Sequence, residues 1–159
     1  MIHREKLNNG IRIVADEMPS FRSVSMGVWI GTGSTKEEQG EEGASHFIEH
    51  MLFKGTEKRS AADIAVEMDS LGGSLNAFTS KECTCYYAKV LDEHIENGAD
   101  ILSDIVRNSA FSETEIEKEK GVVCEEISMV EDSPEELVHE LLCKTFYGDD
   151  PLAKPILGT

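Results

Sequence analysis

The stretch ASHFIEHMLFKGT, residues 44–56, places His46, Glu49 and His50 inside an otherwise apolar run. The pattern predicts a helix over residues 44–54, with Gly55 as its C-terminal stop. On a helix His46 and His50 project from one face, one turn apart. Two imidazoles at that spacing can reach a single zinc ion. Glu49 lies about 60° round the helix from His46, near enough for its carboxylate to act on water beside such a metal. Burying these groups costs free energy unless something pairs with them. That partner is either the fold, with structural histidines and a solvated glutamate, or a metal ion. Phe47, Ile48, Met51 and Leu52 make most of the remaining perimeter apolar, which argues that the polar trio turns inward.

Catalytic zinc usually takes three protein ligands and one water, so a third donor has to come from another element. Ser112 with Glu115 predicts a capping box and a long helix reaching toward Val130. Along it, Ile116, Glu119, Val123, Glu126 and Val130 form one continuous face in steps of 3, 4, 3 and 4. Three of these are apolar and face a core, yet Glu119 and Glu126 share their stripe. An unpaired buried carboxylate is expensive, and a metal with its hydrogen-bonded surroundings accounts for both acids. The alternative is a helix rotated so that both reach solvent.

The rest of the chain supplies a scaffold. GIRIVADEM (residues 10–18) and SVSMGVWIG (23–31) read as strands, the second with Val24, Met26, Val28 and Ile30 on one face. The glycine-rich acidic loop over residues 31–43 has no phosphate-binding spacing. Ser60 with Asp63 opens a helix whose apolar stripe is Ile64, Met68 and Leu71, ended by Gly72 and Gly73. SLNAFTS (74–80) and ECTCYYAKVL (82–91) read as a strand pair. A helix over residues 93–107 is expected to bury Ile95, Ala99, Leu102 and Val106. Ser133, Pro134 and Glu136 mark the start of a last helix. The fold class expected is α+β, a mixed, largely antiparallel β-sheet covered by helices.

Composition narrows the function. A chain of 159 residues with 40% hydrophobic and 29% charged residues suits one globular domain. Its net charge of −16 argues against a nucleic-acid partner, which needs clustered Lys and Arg. No apolar run is long enough for a membrane span. The opening MIHREKLNNGIRIV has neither a signal-peptide core nor transit-peptide character, so a cytoplasmic location is expected. Cys83, Cys85, Cys124 and Cys143 form no CxxC pair, so a zinc–thiolate knuckle is not expected.

HFIEH with the following MLFKGT, then GGSLNAFTSKECTCYY and EKEKGVVCEEISMVEDSP, resembles in order the catalytic N-terminal portion of the pitrilysin-type inverzincin metallopeptidases. Within that family the chain resembles the bacterial processing-peptidase-like proteins and the mitochondrial processing peptidase β subunit. The resemblance implies a zinc-dependent endopeptidase acting on peptides or presequence-like polypeptides, with His46, His50 and Glu126 as metal ligands. Glu126 rather than Glu125 stands at the family's spacing from His50. The resemblance makes Glu49 the general base and Glu119 the second essential acid, orienting a ligand or tuning the site. Asn76, Ala77 and Phe78 match the family's edge strand, which accepts substrate by β-addition; otherwise they are an ordinary strand. Residues 1–159 would then be an N-terminal catalytic domain, incomplete at its C-terminus, whose partner is the absent second half or a homologous subunit. Two other readings stay open: a non-catalytic peptide-binding subunit, and a metal-binding fragment without turnover.

Overall fold

The computed structural model describes residues 1–159. Strand β1 (Ile2–Lys6) pairs antiparallel with β2 (Arg12–Asp16), and Gly10 at φ 92° turns the chain between them. Sequence patterning shows only the second of these strands. Every residue of β1 and β2 is exposed, so β1 lacks the apolar alternation that marks a half-buried strand. A separate antiparallel sheet has the order β3–β5–β4, from β3 (Ser23–Ile30), β4 (Ser74–Thr79) and β5 (Thr84–Leu91). The expected α+β class and antiparallel character are present. All pairings are antiparallel, and the strands divide into two sheets rather than one.

Five helices follow the expected order: α1 (Ala44–Leu52), α2 (Ala61–Ser70), α3 (Ile95–Asn108), α4 (Glu113–Asp132) and α5 (Pro134–Tyr147). The central strand β5 carries Tyr86, Ala88 and Val90 into the core, where they meet Met68 of α2 and Ile101 and Ile105 of α3. In β3, Val24, Met26 and Val28 turn inward as the alternation requires, and Trp29 stays on the outer face, edge-on to Phe78. The capping box of α2 is complete: Ser60 Oγ accepts from the Asp63 N–H, and the Asp63 carboxylate accepts from the Ser60 N–H.

Two expectations shift. Helix α1 ends at Leu52, not Lys54, because the N–H groups of Phe53 and Lys54 bond three residues back, to His50 and Met51, and tighten the last turn. In α3, Leu102 is buried and Val106 half-buried against the core as expected, but the rest of the stripe is Gly98, Ile101 and Ile105, while Ile95 and Ala99 face solvent. Gly98 decides this phase. A Cβ there would stand 3.1 Å from Cγ1 of Val90, so its absence lets α3 lie close on β5. Apolar spacing alone could not register a glycine as the contact position.

A buried charge network ties α3 to the segment after α1. Asp104, 2% exposed, accepts from the Thr56 hydroxyl, Arg59 Nη1 and Asn108 Nδ2 at 2.8, 2.8 and 2.7 Å. The same guanidinium reaches Glu67 and Asp100 at 2.8 and 2.6 Å. Burial pushes the Asp104 carboxyl up, but its hydrogen bonds outweigh this and hold it below the ordinary aspartate value. Asp104→Ala should cost about 1–3 kcal/mol in urea denaturation at neutral pH, because Thr56 and Asn108 lose their buried acceptor while Arg59 keeps Glu67 and Asp100. A depressed carboxyl stabilises above its unfolded value and loses that contribution as acid titrates it. The gap between wild type and variant should therefore narrow only below the ordinary aspartate range.

Candidate metal centre

The N-terminus of α1 is anchored before its histidines begin. Glu37, 7% exposed, accepts from the backbone N–H groups of Gly43 and Ser45 at 2.9 and 2.8 Å. A carboxylate there satisfies orphan helix donors and faces the positive end of the helix dipole. Sequence reasoning missed Glu37, since nothing local separates it from the acidic residues around it. Gly43, at φ 91°, admits the returning C-terminal segment: a Cβ would stand 2.5 Å from the Leu157 carbonyl.

From that anchored start, α1 brings the two imidazoles together, with Nε2 of His46 and Nε2 of His50 3.2 Å apart. Helix α4 packs against α1 on the stripe expected of it: Val123 and Glu119 are buried, Glu126 is half-buried and Glu125 is exposed. Glu126 Oε2 lies 3.9 Å from Nε2 of His46 and 3.5 Å from Nε2 of His50. Donor atoms of His46, His50 and Glu126 fall within 4.8 Å of one another. Four ligands at zinc's usual bond lengths and tetrahedral angles leave about 3.3 Å between donor atoms. The nitrogen pair meets that spacing and the carboxylate is close to it, so the donor set fits zinc. Burial, then the neighbouring His50, pushes the His46 imidazole below its ordinary value, which favours the neutral form that binds metal.

Glu119 does not join the three. Its Oε1 is 2.8 Å from His50 Nδ1, and its Oε2 is 2.6 Å from the Lys54 ammonium. Burial alone would raise this carboxyl, but Lys54 and His50 outweigh it and hold the group below its ordinary value. An ionised carboxylate only accepts, so Nδ1 of His50 is the donor in this contact and Nε2 is the ring nitrogen turned toward His46. This arrangement fixes the orientation of the His50 ring, as partners of metal-binding imidazoles do. Lys54 was not singled out from sequence, although its position four residues after His50 was the available signal.

Glu49 stands on the same helix, and its Oε2 accepts from the Thr79 hydroxyl at 2.5 Å. Thr79 ends β4, on the inward face with Leu75 and Ala77. Asn76 and Phe78 face outward, and β4 has β5 on one side and no strand on the other. The structure thus puts Ala77 on the side of the metal centre and its two neighbours on the opposite face. A groove of about 500 Å³ between α4, α5 and the C-terminal segment includes Val130, Leu141 and Leu157 but none of the metal-centre residues.

Residues 12–159 match the family described as insulinase, peptidase family M16. The chain belongs to this family. It is 56% identical over 159 residues to "Uncharacterized zinc protease YmxG" of Bacillus subtilis, covering 100% of this chain and 39% of that protein. It is 46% identical to "Uncharacterized zinc protease SCO5738" of Streptomyces coelicolor, covering 99% of this chain and 34% of that protein. The chain therefore spans well under half the length of these relatives. Among solved structures, a protease from Helicobacter pylori superposes with a TM-score of 0.95 at 24% identity, over 100% of this chain and 39% of that one. A peptidase M16 inactive domain from Pseudomonas fluorescens superposes at 0.91 and 17% identity, over 99% and 39%. At such identities the likeness is one of fold.

Zinc titration of the full-length protein should separate the acids. His46→Ala or His50→Ala should abolish tight binding. Glu126→Gln should weaken it strongly, since it replaces a charged ligand with a poor one, whereas Glu125→Gln should leave it nearly unchanged. A larger loss in Glu125→Gln than in Glu126→Gln would contradict the placement of α4.

Proposed function

We propose that the protein containing this chain is a zinc endopeptidase, and that residues 1–159 supply its metal ligands and its general base. The observation that carries this reading is the convergence of His46 Nε2, His50 Nε2 and Glu126 Oε2, with Glu49 on the same helix as the two histidines. The names of the zinc-protease relatives support the choice of metal. Zinc held there supplies Lewis acidity, polarising a peptide carbonyl and acidifying water.

The chain's own groups do the rest. Glu49 takes a proton from the attacking water and delivers it to the departing amine. The Thr79 hydroxyl occupies one of its carboxylate oxygens and holds it in place, leaving the other for this exchange. Glu119 fixes the ring of His50, so it acts on a ligand rather than on the proton transfer. An extended peptide docks along β4 at Asn76, Ala77 and Phe78, pairing with the side of that strand that β5 does not occupy. Closure over the peptide falls to the further part of the protein or to a homologous subunit.

Glu49→Gln removes the proton acceptor and leaves both imidazoles. In the full-length protein, zinc content should stay at the wild-type level while kcat on a peptide substrate falls about 10²–10⁴-fold. Loss of zinc in this variant would make Glu49 a ligand, and unchanged turnover would remove it from the reaction.

A further inference from the structure

We propose that Lys54 is a positioning residue of the metal centre, holding Glu119 so that Glu119 in turn holds the His50 ring with Nε2 toward the metal. The proposal rests on the zinc reading above and goes beyond it by assigning a function to a side chain outside the ligand set. The geometry is a three-membered chain. Lys54 Nζ lies 2.6 Å from Glu119 Oε2, and His50 Nδ1 lies 2.8 Å from Glu119 Oε1. Each carboxylate oxygen thus has one side-chain donor.

Burial makes the lysine matter. Exposed ion pairs contribute little, because water replaces either partner at small cost. The Glu119 side chain is 5% exposed, so water is poorly placed to replace Lys54. Removing the ammonium leaves Oε2 of a nearly inaccessible carboxylate without its side-chain donor, and such a group turns or shifts to find another. Any turn of that carboxylate moves Oε1 as well and loosens the bond to His50. The backbone favours the contact: the Lys54 N–H bonds to the Met51 carbonyl at 3.1 Å, extending the last turn of α1 so that Lys54 follows His50 toward α4.

The test is zinc affinity by chelator competition on the full-length protein, comparing wild type with Lys54→Met, Lys54→Arg, Glu119→Gln and the Lys54→Met/Glu119→Gln double variant. Lys54→Met should bind zinc about 10–100-fold more weakly, the usual consequence of disturbing a group that orients a ligand. Lys54→Arg, which keeps the charge and the donors, should recover most of the loss. The double variant should bind no more weakly than Glu119→Gln alone, since both changes break one chain. If Lys54→Met does not fold, Lys54→Ala, which also removes the donor, carries the same expectation. Melting temperatures of the metal-free proteins supply the control. A lysine that only braces the fold would lower them without moving zinc affinity, and that result overturns the proposal. Losses that multiply in the double variant overturn it too. Wild type that binds no zinc overturns the metal reading and this proposal together, whereas Lys54→Met matching a zinc-binding wild type overturns this proposal alone.

Discussion

The carboxylate of Glu119 lies between α1 and α4 with almost no access to water, and it has to be satisfied by the two helices it separates. A donor from α1, His50, and a donor just beyond the end of α1, Lys54, meet its two oxygens. This sets the rotation of α4 against α1. Once Glu119 is fixed, the 3.6-residue repeat carries Val123 into the same interface and brings Glu126, two turns on, to the histidine nitrogens. The cluster of His46, His50 and Glu126 is thus a consequence of helix packing. Packing in turn is constrained by the cost of burying an acid alone.

A second buried carboxylate does comparable work at the other end of α1. Glu37 holds the first backbone donors of the helix, and its own carbonyl accepts from the Lys154 ammonium. The Lys154 carbonyl accepts from Lys81 in the β4–β5 turn, at 2.8 Å, and the Lys81 carbonyl accepts from the Thr35 backbone and hydroxyl. These bonds connect the loop before α1, the hairpin that ends in Thr79, and the C-terminal segment. Glu49 and Thr79 are brought into contact by elements that share this frame. A helix with the ligand and general-base roles proposed for α1 would need both ends held, because small displacements at a site are costly to its chemistry.

Fold likeness and chemistry are separate matters here. A Helicobacter pylori protease and a Pseudomonas fluorescens domain described as inactive both superpose closely on this chain. Architecture alone therefore does not decide whether peptide bonds are cut. The chemistry proposed for this chain calls on four groups: two facing imidazole nitrogens, a carboxylate within reach of both, and a further carboxylate on the same helix. This chain has all four groups in place.

Features encoded by short-range spacing were legible in the sequence. The four-residue step from His46 to His50 put both rings on one face, and the 3–4 stripe of α4 distinguished Glu126 from Glu125. Ser60 and Asp63 announced the start of α2, and alternation sorted the faces of β3. Each depends only on helix or strand period and on local capping, which the chain imposes wherever the element sits. Partnerships across distant segments were not legible: Glu37 with the start of α1, Arg59 with Asp104, Lys54 with Glu119, and Thr79 with Glu49. Apolar spacing places Leu102 and Val106 of α3 correctly but not the start of its buried stripe, because Gly98 contributes to packing by having no side chain, and spacing cannot score an absence. Two segments 30 or 45 residues apart meet only when the core closes. The cost of leaving a buried donor or acceptor unpaired then selects which polar groups face each other. Local periodicity determined which residues were presented together, and tertiary packing decided what they touched.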